Sequence, residues 1–260
     1  YKLIDKCYSK MKNKILKKII GIFGYRLIEK RIFKNNRILS KHSSLNIKKI
    51  LETIFAENKI NELIQIGAND GISFDELSFF IKKYKTKSLL VEPIKKNFDL
   101  LKQNYKNSNF ITFENSAISI DNEISYLYKV DEKHIHKYGS HIPAIPSFDK
   151  KHLINHGVKN NHIVTEKVNS ISIIDLINKH KFNNLDLLFI DCEGYDGKIV
   201  LNFLSIAKTS PIIIFEFSHI DNDTFEKVLN KLLDKNYLFF AIDENIICYP
   251  KNIKIKINLN

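Results

Sequence analysis

Cysteine is scarce in this chain. Cys7, Cys192 and Cys248 are too few and too scattered for a disulfide framework, and no CxxC spacing suggests zinc. That usage suits a reducing, cytoplasmic setting. Glycine (8) and proline (5) are few among 260 residues, while 44% are hydrophobic and 27% charged, so the chain reads as globular rather than disordered. Its length fits one α/β domain of ordinary size with some chain to spare. No uninterrupted apolar run reaches the ~18 residues of a membrane-spanning helix. The stretch "ILKKIIGIFGYRLI" near the N-terminus is broken by charges and lacks a small-residue cleavage site, which argues against a secretory signal.

Acidic residues are nearly missing from one part of the chain. Residues 1–50 carry 15 Lys and Arg against two acids, whereas the remaining 210 carry 26 basic and 27 acidic groups. The net charge of +12 therefore belongs to the N-terminal segment, and the body is neutral. Zinc-finger, RNP and helix-turn-helix patterns are lacking, so nucleic acid is not an expected partner. Residues 1–58 read as a basic, amphipathic helical extension, with Ile15, Ile19, Ile22 and Phe23 at helical spacing among lysines. Three readings of it stand: peripheral contact through residues 1–50 with an anionic membrane face, attraction of an anionic substrate, or a solvated cap on the body or on a second subunit of a homo-oligomer.

Residues 59–260 alternate short apolar runs with helical patterns. Strands are expected at "LIQIG" (63–67), "SLLVEP" (88–93), "NFITFENSAIS" (109–119), "EISYLYKV" (123–130), "LDLLFIDCEG" (185–194), "PIIIFEF" (211–217), "YLFFAID" (237–243) and "NIICYP" (245–250). Helices are expected over 74–84, 94–106, 172–180, 195–205 and 222–235. Apolar strands without alternation, separated by helices, predict a doubly wound, mostly parallel sheet covered on both faces. The last two runs are too close for a crossover and predict a C-terminal antiparallel hairpin.

In such a sheet the ligand sits beyond the carboxyl ends of the strands. The turn "GANDG" (67–71) follows the first strand, and Glu92 follows the second, where its two oxygens can take both hydroxyls of a ribose. A pyrophosphate binder calls for G-x-G-x-x-G. Here the turn is G-x-x-x-G with the anionic Asp70 in it, and no G-x-x-x-x-G-K-[ST] occurs. The added carboxylate favours a cationic ligand such as S-adenosylmethionine over NAD. An NAD-dependent oxidoreductase stays open as an alternative, as does a non-catalytic membrane- or partner-binding protein that keeps the fold.

With "LIQIGANDG", "LLVEP", "FENSAIS", "LDLLFIDCEGYDGKIVLNF" and "IIIFEF" in order over about residues 60–250, the chain resembles the FkbM-type S-adenosylmethionine-dependent methyltransferases. The resemblance implies a class I methyltransferase Rossmann-like fold and O-methylation, commonly of sugar, polysaccharide or natural-product hydroxyls. A bacterial surface glycan, in capsule or lipopolysaccharide biosynthesis, or its nucleotide-linked precursor is the implied acceptor. By motif position Gly67, Ala68, Asn69 and Gly71 line the methionine and ribose portion, Glu92 beside Pro93 is the ribose ligand, and Ser116 and Ala117 lie near the adenine. Gln65 stands where related turns often carry an acid, so Asp70 or Asp191 is expected to share the anchoring of the ammonium.

Methyl transfer to an alcohol needs alignment and a group that removes or weakens the hydroxyl proton. The ends of the "LDLLFIDCEG" and "PIIIFEF" strands carry Asp191, Glu193, Glu216 and His219 as candidates. Asp191, Glu193 and Glu216, helped by His219, are a candidate Mg²⁺ or Mn²⁺ site, since oxygens with one imidazole suit a hard ion. The competing reading has one acid touching the cofactor and Glu193 capping the helix that starts near Tyr195. Six of the nine histidines fall in residues 134–162. Residues 131–165 are expected to be a substrate lid, with His141 as general base and Tyr138, Ser140, Ser147 and Tyr195 as substrate contacts; a solvated loop with incidental histidines is the plainer reading. Cys192 is expected to be a small core side chain facing away from its neighbouring acids.

Overall fold

The computed structural model describes residues 46–120 and 125–253. The expected basic extension, its membrane or subunit contacts and its helix through residue 45 lie outside the described residues.

Seven strands form the main sheet: β1 (Glu62–Ile66), β2 (Lys87–Val91), β3 (Ile111–Glu114), β8 (Leu187–Ile190), β9 (Ile212–Glu216), β10 (Tyr237–Ile242) and β11 (Asn245–Pro250). Their order is β3-β2-β1-β8-β9-β11-β10, and only β11 runs against its neighbours. The hairpin expected from the short link between the last two runs is therefore present, with β11 inserted between β9 and β10. The crossover from β3 back to β8 puts the reversal of strand order at β1 and β8, the place where a doubly wound sheet opens a crevice.

Successive residues of each strand point to opposite faces, and both faces are covered. Ile64 and Ile66 pack with α5 (Ile173–His180), α6 (Asp196–Ile206) and α7 (Asn222–Asp234). Leu63 packs instead with α1 (Ile47–Glu57), α2 (Ser78–Tyr84) and α3 (Lys95–Asn104). Burial on both faces is why the strands read as continuous apolar runs. The helices start where short polar side chains take free N–H groups: Asn46 accepts from Lys49, Ser172 from Asp175 and Asp221 from Thr224.

Three expectations need correction. The boundary at residue 58 cuts off a helix that belongs to the body: Ile47, Ile50, Leu51, Ile54 and Phe55 of α1 are buried in the sheet's second core, and the Ile47 N–H donates to Asp243. The helical spacing of α1 is real, but its apolar stripe faces the sheet. The run 109–119 is two strands, because Asn115 turns the chain and donates to the carbonyls of Glu92 and Pro93. β4 (Ala117–Ile118) then pairs with β7 (Ser170–Ile171) away from the main sheet. Last, residues 131–165 are folded rather than a plain polar loop.

That segment stands on an antiparallel pair, β5 (Ser125–Val130) with β6 (Ile163–Val168). It contains 3₁₀ turns at Glu132–Lys137, Ile142–Ala144 and Asn160–His162, and the short helix α4 (Lys150–Asn155). Val130, Ile142, Ile145, Leu153 and Val158 give it a small core of its own.

Leu51, 0% exposed, distinguishes the two placements of α1. Leu51→Ala should lower unfolding stability by about 2–5 kcal/mol in urea titration. A midpoint unchanged from the parent protein would return α1 to the extension.

Candidate functional site

The turn after β1 is built on close backbone approach. Gly67 has φ +83°, and a Cβ there would stand 1.8 Å from the carbonyl oxygen of Asp191, at the end of β8. Only glycine lets these two strand ends meet. The N–H groups of Gly67 and Ala68 both donate to the Val91 carbonyl at 3.0 Å, which ties the turn to the end of β2. Asn69 follows with φ +48°, and its N–H donates to Glu92 at 3.0 Å. The other Glu92 oxygen accepts from the Ile94 N–H at 2.8 Å. Each carboxylate oxygen has a second acceptor site, so the buried carboxylate is fixed in orientation and still able to accept.

These ends line a cavity of about 220 Å³. Of the expected site residues it brings together Gln65, Gly67, Ala68, Asn69, Glu92, Pro93, Ser116, Ala117, His141, Asp191 and Glu193. The folded segment after β5 supplies one wall through His141, Ala144, Ile145, Pro146 and Phe148. Ser116 lines the cavity while its hydroxyl donates to Glu114. Burial alone would raise the Glu114 carboxyl, but hydrogen bonds from Lys179, His180 and Ser116 outweigh it and hold it low.

Other expected residues stand elsewhere. Asp70 lies in a neighbouring groove with Ser140, and its oxygens are occupied by the N–H groups of Ile72 and Ser73 and the Ser73 hydroxyl. Gly71 does not line the cavity. A Cβ on it would meet Leu101 and Tyr105 at 2.6 Å, so it is a packing glycine. The Tyr138 hydroxyl is bonded to His162 and accepts from the Lys159 N–H, which knits the segment after β5 together. Ser147 is buried and donates to the Glu193 carbonyl. Tyr195 packs its ring on Phe148, with Lys198 over it. Glu216 and His219 lie beyond the cavity wall, 3.4 Å from one another. Glu193 does not cap α6: the N-cap position is Tyr195, which makes no side-chain cap hydrogen bond, and Asp196, the first helical residue, turns its buried oxygens back to the N–H groups of Cys192 and Gly194. Glu193 and Gly194 take φ +51° and +97°, so strand alternation has already ended and Cys192 lines the cavity beside the acids instead of facing away. Burial pushes its thiol well up, which keeps it an inert side chain.

The site also holds residues that the sequence reading did not single out. Ser73, Phe74, Asp75 and Glu76 line the cavity because α2 starts at Ser78 and leaves "SFDE" as an irregular rim. Phe74 has φ +57°, an uncommon conformation for a bulky residue and one found at functional sites. Asp75 Oδ1 accepts from Leu77 and Ser78. Its Oδ2 completes no hydrogen bond although the Gln65 amide lies close, and the Gln65 Oε1, on a side chain 3% exposed, has no donor either. The signal available beforehand was the Gly-Ile-Ser-Phe-Asp sequence, whose turn character was overridden by reading a helix from residue 74.

Electrostatically the cavity is acidic. Asp75, Glu76, Glu92, Asp191 and Glu193 line it, and no lysine or arginine does among the described residues. Burial first, then the like charges of Asp196, Glu193, Glu216 and Glu76, raises the Asp191 carboxyl well above its ordinary value. Burial likewise pushes Glu92 up to about 7, against the two backbone N–H groups that oppose the rise. Glu193 rises to about 7 through burial and Glu216, and Asp196 to about 7 through burial. Among the described residues, His156 and His219 act against the rise at Glu193.

Residues 65–239 match the family described as the methyltransferase FkbM domain. Among solved structures the chain is similar to a methyltransferase FkbM from Methylobacillus flagellatus KT at 14% identity and TM-score 0.46, over 73% of this chain and 43% of that one. A TehB-like S-adenosylmethionine-dependent methyltransferase from Corynebacterium glutamicum aligns at 10% identity and TM-score 0.40 over 85% and 96%. An O-methyltransferase from Bacillus cereus, in complex with SAH, aligns at 10% and 0.38 over 91% and 97%. The chain thus spans under half the length of the first of these. No curated protein matches it in sequence.

Gly67 and Gly157 share φ +83°, but a Cβ on Gly157 meets nothing within 4 Å. Gly157→Ala should cost about 1 kcal/mol of stability. Gly67→Ala must part β1 from β8 and should cost about 3 kcal/mol or more, or prevent folding. Urea unfolding of the two variants side by side checks this, and equal losses would contradict the close approach.

Proposed function

The chain belongs to the methyltransferase FkbM domain family, and from that premise we propose that it moves a methyl group from S-adenosylmethionine to a hydroxyl, on a sugar of a surface polysaccharide or its nucleotide-linked precursor. One observation carries the cofactor: the cavity at the switch point offers buried acceptors that no donor among the described residues satisfies, among carboxylates and with no lysine or arginine of those residues lining it. Such a lining suits a ligand that brings its own ammonium and a positive sulfur. It opposes the pyrophosphate of NAD, which calls for N–H donors and positive charge.

Within the cavity, Gln65 Oε1, Asp75 Oδ2 and Asp191 are the acceptors for the ammonium, and Glu92 takes the ribose hydroxyls. Asn69 holds Glu92 in place for that task. Ala117, Ile118 and Leu127 supply apolar surface for the base. When bound, the sulfonium supplies an electrophilic methyl carbon. The protein must hold the acceptor oxygen in line and take its proton, because an alcohol is a poor nucleophile without help. His141 lines the cavity at an exposed position and is the general base of this reading. The hydroxyl and sugar character of the acceptor follow the family resemblance, and incubation with nucleotide sugars or glycan fragments tests them through a mass gain of one methylene.

Three outcomes are expected. Glu92→Ala should weaken S-adenosylhomocysteine binding at least about 150-fold in calorimetry, since two hydrogen bonds to a charged group are worth about 3 kcal/mol or more. The ribose hydroxyls donate to the ionised carboxylate, so the ligand prefers the form that Glu92, at about 7, reaches only near neutrality. Affinity should then be level above pH 7 and fall about tenfold per unit below it, with proton release on binding near neutrality. A flat profile from pH 5 to 8 would remove Glu92 from the ligand. His141→Ala should lower turnover about 10²- to 10⁴-fold while S-adenosylhomocysteine still binds; retained turnover would pass the proton to another group.

A further inference from the structure

Next to the cavity, on its β8–β9 side, lies a cluster that the methyl-transfer reading leaves unused. His152 stands on α4, His156 directly follows that helix, and His219 lies in the link between β9 and α7. One ring nitrogen from each comes within 4.8 Å of the others. Glu193, Glu216 and His219 form a second such trio that shares His219 with the first. The rings lie close, one pair tilted and two edge-on, with centroids 4.4 Å apart for His152–His156, 4.5 Å for His152–His219 and 5.2 Å for His156–His219. We infer that this cluster is a binding site for one divalent transition metal ion of the zinc type, held by His152, His156, His219 and the carboxylate of Glu193.

Two independent details of the geometry point to an ion. His152 is 7% exposed, and its Nε2 has no hydrogen-bond partner among the described residues. That nitrogen lies 2.8 Å from Glu193 Oε2, yet off the line of a hydrogen bond. A nitrogen and a carboxylate oxygen that close, without an N–H aimed between them, are disposed as two ligands converging on a third body. The second detail is His156, whose Nδ1 lies 3.0 Å from the His152 carbonyl. A carbonyl only accepts, so Nδ1 carries the proton and the lone pair is left on Nε2. Metal-ligating histidines are commonly fixed in this way through the other ring nitrogen.

Of the residues expected to hold Mg²⁺ or Mn²⁺, Asp191 belongs to neither trio, while Glu193, Glu216 and His219 are brought together in the second. The first trio adds three imidazoles to the same place. Nitrogen-rich sets favour zinc and its first-row neighbours over magnesium. Donors on one such ion sit about 2.0–2.2 Å from it, so small side-chain rotations close the cluster. His219 is exposed, which gives the ion a path of entry. Glu193 reaches both the cluster and the cavity. The ion would therefore stand beside the place where an acceptor hydroxyl must approach, able to take that oxygen as a fifth ligand and lower its pKa. This role rests on the methyl-transfer reading; binding of the ion does not.

The test is titration of the EDTA-treated full chain with Co²⁺, followed by visible d–d absorption, with retained metal counted by mass spectrometry after desalting. The parent protein should take up about one equivalent with a nitrogen-rich spectrum. His156→Ala and His219→Ala, at half-buried and exposed positions, should each lose at least about 100-fold in affinity. His136→Ala, on an exposed turn, should match the parent. No retained cobalt in the parent, or unchanged spectra in both cluster variants with native circular dichroism, would overturn the site. S-adenosylhomocysteine titrated into the same EDTA-treated protein separates the two readings. Nucleoside binding without cobalt uptake ends the metal site alone, and cobalt uptake without nucleoside binding upholds the site and ends only its role toward the acceptor.

Discussion

The contact between Gly67 and the Asp191 carbonyl is the constraint from which the site follows. Two parallel strands can run side by side with their carboxyl ends splayed, and then no cavity is shared between them. Here the absence of one Cβ lets the chain leaving β1 lie against the chain leaving β8. The turn is then fastened on its other side to β2 by the Val91 carbonyl and by Glu92. Three strand ends thus become one rigid rim, and the acids that follow β2 and β8 are brought to face the same space.

That concentration is costly in the absence of a ligand. Buried carboxyls repel one another and lack water, so several of them hold protons at pH values where free carboxyls are ionised. A cationic guest, as the proposed function requires, would relieve both penalties, which a site lined with paired charges would not carry. The glycine turn and the acid pattern are consequently one device, and neither alone specifies the ligand.

Much of this was legible in the sequence because burial on two faces leaves a plain mark. Leu63 to Ile66, Leu187 to Ile190 and Ile212 to Phe215 are continuous apolar runs, and continuity predicts a covered parallel sheet. Glu92 was legible because it follows such a run by a fixed topological rule. The failures share a cause: pairing or packing at long range. β6 reads Ile-Val-Thr-Glu-Lys-Val, half exposed, and becomes a strand only by pairing with β5 across the whole intervening segment. α1 carries a lysine-flanked helical stripe, and nothing local says whether it faces water or the sheet. Asp75 and Glu76 looked like first-turn acids of a helix that in fact begins later. His152 and His156 are four apart, which places them on one side of a helix, but His219 joins them only through the fold.

The placement of β11 has a consequence for how the chain comes to be folded. β9 borders β11, and β10, although earlier in the chain, touches the sheet only through β11. During synthesis on the ribosome β9 therefore waits with one row of backbone N–H and carbonyl groups unpaired, and β10 has nowhere to dock until Asn245–Pro250 has emerged. Of the described strands, the last in the chain is an interior one. Closure of this sheet is thus postponed until β11 has left the exit tunnel, and any polypeptide stalled before that point presents an open, apolar strand edge to other stalled chains.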